Sequence, residues 1–481
     1  MNRLVLGNNV QWVDRGDEML SRDGRQLRPR MLERAKALGP TILRFPGGAM
    51  SDLFRWKDGT GEPEQRGLNE HFFSRQMQRV LMGTREFLEL CEALGVEAII
   101  TVNTATGSPK EAAQWVAYVN RQGLRSSRTG ELLAKVRYWE IGNEPYLKDD
   151  KQKRLWIAPE AFAARANDFI RAMKDVDPDI QVGIPLRSDR LGGVAATPYP
   201  GYNATLLANV SMPFDFVSLH NAYLPFGFDK PFSDRDLLQA ALAASVVVAA
   251  DFEATRQLLR QYKPGRSVAL AVTEFNALFS LGGKPSDNYT ASPAGALYVA
   301  DLLCLFAVTP DLLMANFWSL SGNWVFGSFA SSGEPRPAYH VLRLFNAVLR
   351  GRLLPVAVQT PGFESPAVGF VPAQQGQPRV TALATLDEGN VRLVLINKDT
   401  ALAADLTLHV AGMQTGQGSA HSLVAEVPLE VKEGDGVFGR RTAQYRIEGG
   451  RARISLPALS VTLLELKAGA GVAARSGRAK R

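Results

Sequence analysis

Eight short apolar runs, separated by amphipathic helical patterns, constrain the fold of this chain more than any other feature. Two of the helical patterns are TREFLELCEALG and PEAFAARANDFIRAMKDV. Apolar runs that alternate with helices indicate parallel strands buried on both faces of a sheet. The runs span residues 3–10, 41–47, 96–103, 136–144, 180–186, 214–221, 267–275 and 312–320.

Eight strand–helix units over about 340 residues predict an α/β fold, a (β/α)₈ TIM barrel with loop insertions. The alternative is a doubly wound open sheet with helices on both faces. That alternative gains no support from a phosphate-binding turn, because neither G-x-G-x-x-G nor a P-loop follows an early strand.

The pattern changes after RPAYHVLRLFNAVL, residues 336–349. The following RVTALATLDEGNVRLVLINKD alternates apolar and polar residues between Gly and Asp turns, which is typical of antiparallel strands with one solvated face. We therefore expect a barrel over residues 1–345 and a C-terminal antiparallel β-sandwich domain over 346–468. The last residues, 469–481, are basic and carry little to bury, so we expect a disordered tail.

Barrel enzymes carry their chemistry at the carboxyl ends of the strands. The predicted second, fourth, sixth, seventh and eighth strands all end in polar or aromatic residues. These candidates are Arg44, Asn143, Glu144, His220, Tyr223, Glu274 and Trp318.

Glu144 and Glu274 lie on the fourth and seventh strands, across the barrel mouth from each other. Two carboxyl groups flanking one bond are the minimum machinery for glycoside hydrolysis, with retention at about 5–5.5 Å separation and inversion at roughly 6.5–9.5 Å. Arg44 is placed to keep one of them ionised, while burial among aromatic residues favours the neutral, acidic form of the other. His220 is either part of this site or a structural histidine, and Trp318 is either a sugar-stacking platform or a core residue.

The segment YWEIGNEP resembles the Asn-Glu signature of the clan A glycoside hydrolases. The resemblance implies that Glu144 is the general acid/base and Glu274 the nucleophile. It also implies that Asn143 binds the sugar 2-hydroxyl and that Arg44 supports the nucleophile.

Within the clan, the chain is most similar to the family fifty-one α-L-arabinofuranosidases. LRFPGGAMSDLFRWKDGTG (43–60) and VNTATGSPKEAAQWVAYVN (102–120) resemble two segments of that family. Three positions depart from it: Ala49 stands for the usual Asn, Gln11 for a Glu that contacts arabinose, and Tyr223 is displaced from a His-x-Tyr pattern. We therefore expect intact catalytic residues, with Gln11 in an altered sugar pocket.

The predicted function is a retaining glycoside hydrolase that needs no metal or cofactor and acts on an oligosaccharide or polysaccharide. An arabinofuranoside is the first candidate substrate, followed by a β-xyloside, a β-glucan or a uronic-acid glycoside. A non-catalytic carbohydrate-binding barrel is an alternative. Nucleic-acid binding rests only on the net charge of +7, with no recognition motif, so we expect none.

Cys91 and Cys304 lie in apolar helical patterns and are expected to be buried thiols rather than a disulfide. The N-terminal segment lacks the apolar run of a signal peptide, and no stretch is long enough for a membrane span. We expect a protein that is either cytoplasmic or secreted after removal of a leader. The sequence does not indicate an oligomeric state.

Overall fold

The computed structural model describes residues 2–147, 155–188, 199–227, 232–281 and 283–468. The tail expected at 469–481 lies outside the described residues. The eight predicted strands are present, and the structure gives their bounds as β1 Gly7–Asn9, β2 Ile42–Phe45, β3 Glu97–Val102, β4 Tyr138–Ile141, β5 Gln181–Pro185, β6 Phe216–Ser218, β7 Ala269–Leu278 and β8 Leu312–Phe317.

These strands close into a parallel barrel. Each strand pairs in parallel with the next, from β1 to β8, and β8 pairs with β1 to complete the circle. The predicted barrel is therefore confirmed, and the open sheet is wrong. The first strand is shorter than predicted, because Arg3–Leu6 form a 3₁₀ turn whose Asn2 cap accepts from the Leu4 amide.

Helices follow the strands, as the alternation predicted, and several carry recognisable end signals. Ser108 accepts a hydrogen bond from the Glu111 amide at the start of one helix, and Gly39 and Gly95 end two others in the left-handed conformation. The helices are α1 Pro29–Leu38, α2 Thr84–Leu94, α3 Pro109–Val116, α4 Pro159–Val176, α5 Tyr202–Asn209, α6 Asp234–Ala243, α7 Ser245–Tyr262, α8 Pro293–Val308 and α9 Pro337–Val348. Within the described residues, no single helix has the length and apolarity to cross a membrane; only two bent helix pairs meet that test jointly.

Ten further strands follow α9 and are antiparallel, as predicted. Eight of them form one hydrogen-bonded sheet in the order β9-β12-β13-β18-β15-β16-β17-β14, and β10 pairs with β11. The strands are β9 Arg352–Leu354, β10 Gly362–Ser365, β11 Gln374–Pro378, β12 Val380–Asp387, β13 Asn390–Asn397, β14 Ala404–His409, β15 Thr415–Val424, β16 Gly439–Glu448, β17 Arg451–Leu456 and β18 Ser460–Ala468.

This sheet bends around a core of its own. Leu395 of β13, Ile454 of β17 and Leu464 of β18 share one buried cluster, so the early and late strands face each other as the layers of a sandwich do. On the other face, Val394 and Val461 join the core of the barrel helices. The C-terminal domain is therefore seated on the barrel, against α8 and α9.

The barrel interior is built in layers that change from apolar to polar toward the carboxyl ends of the strands. The lower layer is an apolar cluster of Ile42, Ile99, Tyr138, Phe216, Ala271 and Met314. Successive side chains of a strand alternate between faces, so the residue two places on also faces the interior, one layer higher. That upper layer is polar and buried, and it consists of Arg44, Thr101, Glu140, Ser218, Thr273 and Asn316.

Candidate active site

Arg44 is the centre of the polar layer. Its guanidinium has no solvent exposure and donates hydrogen bonds to Glu140 (Nε–Oε2, 2.8 Å), Glu274 (Nη1–Oε1, 2.8 Å), Asn143 (Nη2–Oδ1, 2.9 Å) and Asn9 (Nη1–Oδ1, 3.1 Å). Burial disfavours a charged guanidinium, but the two carboxylates outweigh burial and raise the pKa of Arg44 above its ordinary value. The single positive charge of Arg44 is therefore paired with two carboxylates, those of Glu140 and Glu274.

Glu140 is a buried carboxylate that the sequence-based list of candidates missed. It accepts hydrogen bonds from the hydroxyls of Thr101 (2.6 Å) and Thr273 (2.8 Å). Burial opposes its ionisation, yet the positive charge of Arg44 leaves the pKa of Glu140 below its ordinary value. The signal was present in the alternation of YWEIGNE, where Glu140 shares a face with Tyr138 and is opposite to Trp139 and Ile141.

Glu274 lies on β7 and is held at both carboxylate oxygens. Oε1 accepts from Arg44, and Oε2 accepts from the Tyr223 hydroxyl at 3.0 Å. Gly48, in the turn after β2, passes close by: a Cβ atom there would lie 2.9 Å from Glu274 Oε1 and from the Trp318 ring. The Pro-Gly-Gly turn therefore leaves the space that the Glu274 carboxylate occupies.

Glu144 follows β4 on a backbone with φ of 39°, in the left-handed region that non-glycine residues rarely adopt. Its side chain is 21% exposed, and Oε1 lies 2.8 Å from Nδ1 of His220. The same Nδ1 atom lies 3.9 Å from Oε2 of Glu274. The two oxygen atoms therefore lie at most about 6.7 Å apart, so both carboxyl groups border the same small space.

His220 is positioned by a third contact. Its Nε2 lies 3.0 Å from the Thr273 hydroxyl, which donates its own proton to Glu140. The hydroxyl oxygen must therefore accept from His220, so Nε2 carries a proton. Burial lowers the affinity of the ring for a second proton, but the charges of Glu274 and Glu144 outweigh it and raise the pKa of His220.

A cavity of about 280 Å³ opens above these groups. Arg44 and Asn143 do not line it: both are buried beneath it, and Asn143 contacts Arg44. Trp318 belongs to a small buried cluster and also forms part of the cavity wall, so its stacking on a sugar stays a prediction. Six predicted site residues line this cavity, namely Gln11, Glu144, His220, Tyr223, Glu274 and Trp318.

Asp52 is a second acidic group that sequence reasoning missed. It is buried, and burial followed by the charge of Glu144 raises its pKa well above the ordinary range. Burial therefore favours the protonated form of Asp52, which adds no negative charge beside Glu144. Its position after the Pro-Gly-Gly turn, inside a 3₁₀ segment, gave no periodic signal that it faces the site.

Comparisons with known proteins show what the chain resembles in sequence and in fold. Residues 34–190 match the family model described as alpha-L-arabinofuranosidase 1 domain. An intracellular exo-alpha-L-arabinofuranosidase of Bacteroides ovatus is 23% identical over 459 residues, which cover 90% of this chain and 85% of that protein. The chain is similar to α-L-arabinofuranosidases, over part of its length in the family model and over most of it in the Bacteroides protein.

Other known proteins match this chain over part of its length or in fold. A probable alpha-L-arabinofuranosidase C of Aspergillus flavus is 32% identical over 186 residues, so the chain spans about a third (35%) of the length of that curated relative. The alpha-L-arabinofuranosidase of Thermotoga maritima, solved with arabinose, superposes with a TM-score of 0.79 at 20% identity and covers 96% of both chains. A family 51 enzyme of Bifidobacterium longum gives 0.78 at 20% identity, covering 97% of this chain and 96% of its own. At these identities the solved structures establish the shared fold.

Proposed function

We propose that this protein is a retaining glycoside hydrolase of the α-L-arabinofuranosidase type. Glu274 is the nucleophile and Glu144 the general acid/base. The observation that supports this most is the contact of one His220 nitrogen with both carboxylates, which brings them to one side of the same small cavity. The substrate is a carbohydrate.

In the first step, Glu274 attacks the anomeric carbon while the bond from that carbon to the leaving oxygen breaks. Glu144 gives its proton to that oxygen. In the second step, Glu144 removes a proton from water, the water oxygen bonds to the anomeric carbon, and the Glu274 carboxylate is released. Arg44 and Tyr223 hold Glu274 in position through both steps.

The remaining candidates bind substrate in this proposal. Asn143 lies just beneath the cavity and accepts from Arg44 through its oxygen, so its Nδ2 group is the atom left to reach up to the sugar 2-hydroxyl. Trp318 and Gln11 contact the sugar from the cavity wall, and His220 orients Glu144. We also propose residues 1–345 as the catalytic domain and 346–468 as the accessory β-domain.

Azide rescue tests the two roles separately. Glu274→Ala with an activated aryl α-L-arabinofuranoside is expected to lose turnover and to regain it with azide, giving a glycosyl azide of inverted configuration by NMR. Glu144→Ala should instead give an azide product of retained configuration. Glu430→Ala, an exposed carboxylate of the β-domain, serves as the control and should leave turnover unchanged. Unchanged turnover in Glu274→Ala would contradict the assignment.

A non-catalytic sugar-binding barrel is the alternative of another class. It explains the cavity and Trp318 but gives no reason for two carboxylates on a shared histidine, backed by the buried Arg44. Oligosaccharide binding without turnover of any aryl glycoside would favour it.

A further inference from the structure

A second cavity, of about 620 Å³, adjoins the proposed catalytic pocket. Gln11, Met50, Phe73 and Trp318 line both, so the two cavities meet at a common wall. Nothing in the proposed reaction uses this second space, because all the proposed catalytic groups face the first.

The position of the second cavity relative to Glu144 indicates which part of a substrate this cavity would hold. Its described lining residues come from the segments after β1, β2, β7 and β8, and none of them comes from the segments after β4, β5 or β6. Glu144 follows β4, and the proton donor lies on the side of the leaving oxygen. The second cavity therefore lies on the opposite side, where the sugar that forms the bond to Glu274 would continue.

Exposed aromatic rings border this cavity. Phe73 and Trp324 are 57% and 49% exposed, yet their rings meet edge to face at 6.1 Å although they belong to different loops. Trp324 also packs against Phe326 at 4.7 Å. Large apolar side chains that stay exposed together mark binding surfaces, and flat aromatic faces suit the apolar C–H face of a sugar ring.

The polar part of the lining is acidic. Asp17 accepts hydrogen bonds from both the backbone amide and the side-chain amide of Gln11, each at 2.9 Å. This contact turns the Gln11 nitrogen toward Asp17 and leaves the Gln11 carbonyl oxygen as the amide atom available to a sugar hydroxyl. Asp14 and Glu18 also line the cavity, and no lysine or arginine does so among the described residues, which disfavours a sugar carrying a carboxylate.

We propose that this second cavity is a glycone-side subsite that binds a further neutral sugar, linked to the one whose bond is cleaved. The inference rests on the proposed function and extends it from a single-sugar pocket to a site for a disaccharide or longer glycone. Uronic-acid glycosides are disfavoured as substrates on the same grounds.

Matched aryl glycosides test the subsite. The probes are the 4-nitrophenyl α-L-arabinofuranoside and the corresponding α-1,5-arabinobioside, together with the 4-nitrophenyl β-xyloside and xylobioside. In whichever pair is turned over, kcat/KM for the disaccharide is expected to exceed that for the monosaccharide by about tenfold or more, since the second ring adds stacking that is realised in the transition state.

Trp324 borders both cavities, so Trp324→Ala should lower kcat/KM for the disaccharide by a clearly larger factor than for the monosaccharide, because only the disaccharide places a second ring against it. The control is Leu402→Ala, which removes an exposed apolar side chain in the β-domain. Equal kcat/KM for both members of a pair, or an equal loss on both in Trp324→Ala, overturns the subsite and leaves the hydrolase proposal standing. Absence of turnover with all four glycosides overturns both.

Discussion

The Nδ1 atom of His220 lies 2.8 Å from Oε1 of Glu144, and the other ring nitrogen is already committed as a donor to Thr273. The pair therefore shares one proton across the 2.8 Å contact. With that proton on His220, the imidazolium donates to the Glu144 carboxylate; with it on Glu144, the carboxylic acid donates to the neutral ring. Either arrangement keeps a proton beside the leaving oxygen.

Thr273→Val is expected to shift the alkaline limb of the kcat/KM profile to lower pH. The substitution removes the acceptor of the Nε2–H group, so the imidazolium loses a hydrogen bond and the raised pKa of His220 falls. The shared proton is then lost at a lower pH. The measurement is the pH dependence of kcat/KM with a leaving group that needs protonation, such as 4-methylphenol.

A 2,4-dinitrophenyl glycoside provides an internal comparison, because its leaving group departs without a proton and its rate should change far less. Thr385→Val removes an equally buried threonine hydroxyl in the β-domain and should leave the profile in place. A uniform loss of activity at every pH in Thr273→Val would contradict the role of the hydroxyl in proton retention.

Glu140→Gln is expected to lower kcat/KM by about tenfold or more, because the buried Arg44 loses one of the two carboxylates that hold its guanidinium in place. Glu140 accepts from Nε of Arg44 and Glu274 accepts from Nη1 of the same guanidinium, so a change at Glu140 alters the position of the group that holds Glu274. Glu86→Gln is the matched control, since Glu86 is also buried and paired with an arginine, Arg66, at 2.6 Å.

The barrel strands and the two proposed catalytic residues could be predicted because both depend on local patterns. Apolar runs indicated the strands; Glu144 comes just after β4, whereas Glu274 lies inside β7, which continues to Leu278 beyond the predicted end at 275. Glu140 shows what a local pattern hides: inside an apolar run it was passed over, although strand alternation places it in the same interior layer as Arg44. In such a barrel, the residue two places beyond an inward-facing one also faces the interior, so it belongs to the next layer.

The burial of Asp17 and Asp52 could not be predicted from strand alternation. Both occupy short irregular turns after β1 and β2, where no period relates a residue to a face. Their burial comes from contacts with distant segments: the Asp17 backbone oxygen, for example, accepts from the Ser321 hydroxyl, 304 residues away. The walls of the proposed second subsite are made of such segments, which is why that subsite could not be predicted from local patterns.

Asp17→Asn is expected to stabilise the protein above neutral pH. Burial raises the pKa of Asp17 to about 7, so the folded state binds its proton more tightly than the unfolded state, whose pKa is near 3.8. The stability that this group contributes therefore falls by on the order of 4 kcal/mol as the pH rises from about 4 to 7. It stays low above pH 7. An asparagine does not titrate, so its advantage should grow over the same window.

The measurement is the free energy of unfolding of both proteins at pH 4.5 and pH 8. The free energy of unfolding of Asp17→Asn should rise relative to that of the wild type at pH 8, because only the wild type must then bury a carboxylate or keep a proton at that pH. The same difference at both pH values would show that Asp17 does not titrate in this window.

Lys398→Met is expected to destabilise the full chain by about 3–5 kcal/mol. Lys398 of the β-domain and Asp301 of α8 are 5% and 4% exposed and meet at 2.7 Å, and Thr381 donates to the other Asp301 oxygen at 2.7 Å. The single substitution leaves a buried carboxylate without its counter-charge, whereas Asp301→Asn combined with Lys398→Met removes both charges and should recover most of the loss.

Arg171→Met breaks the exposed pair with Asp168 and should cost less than about 1 kcal/mol. Chemical denaturation followed by both fluorescence and circular dichroism measures all three, and a double variant no more stable than Lys398→Met would mean that lost packing, not the unpaired charge, causes the destabilisation.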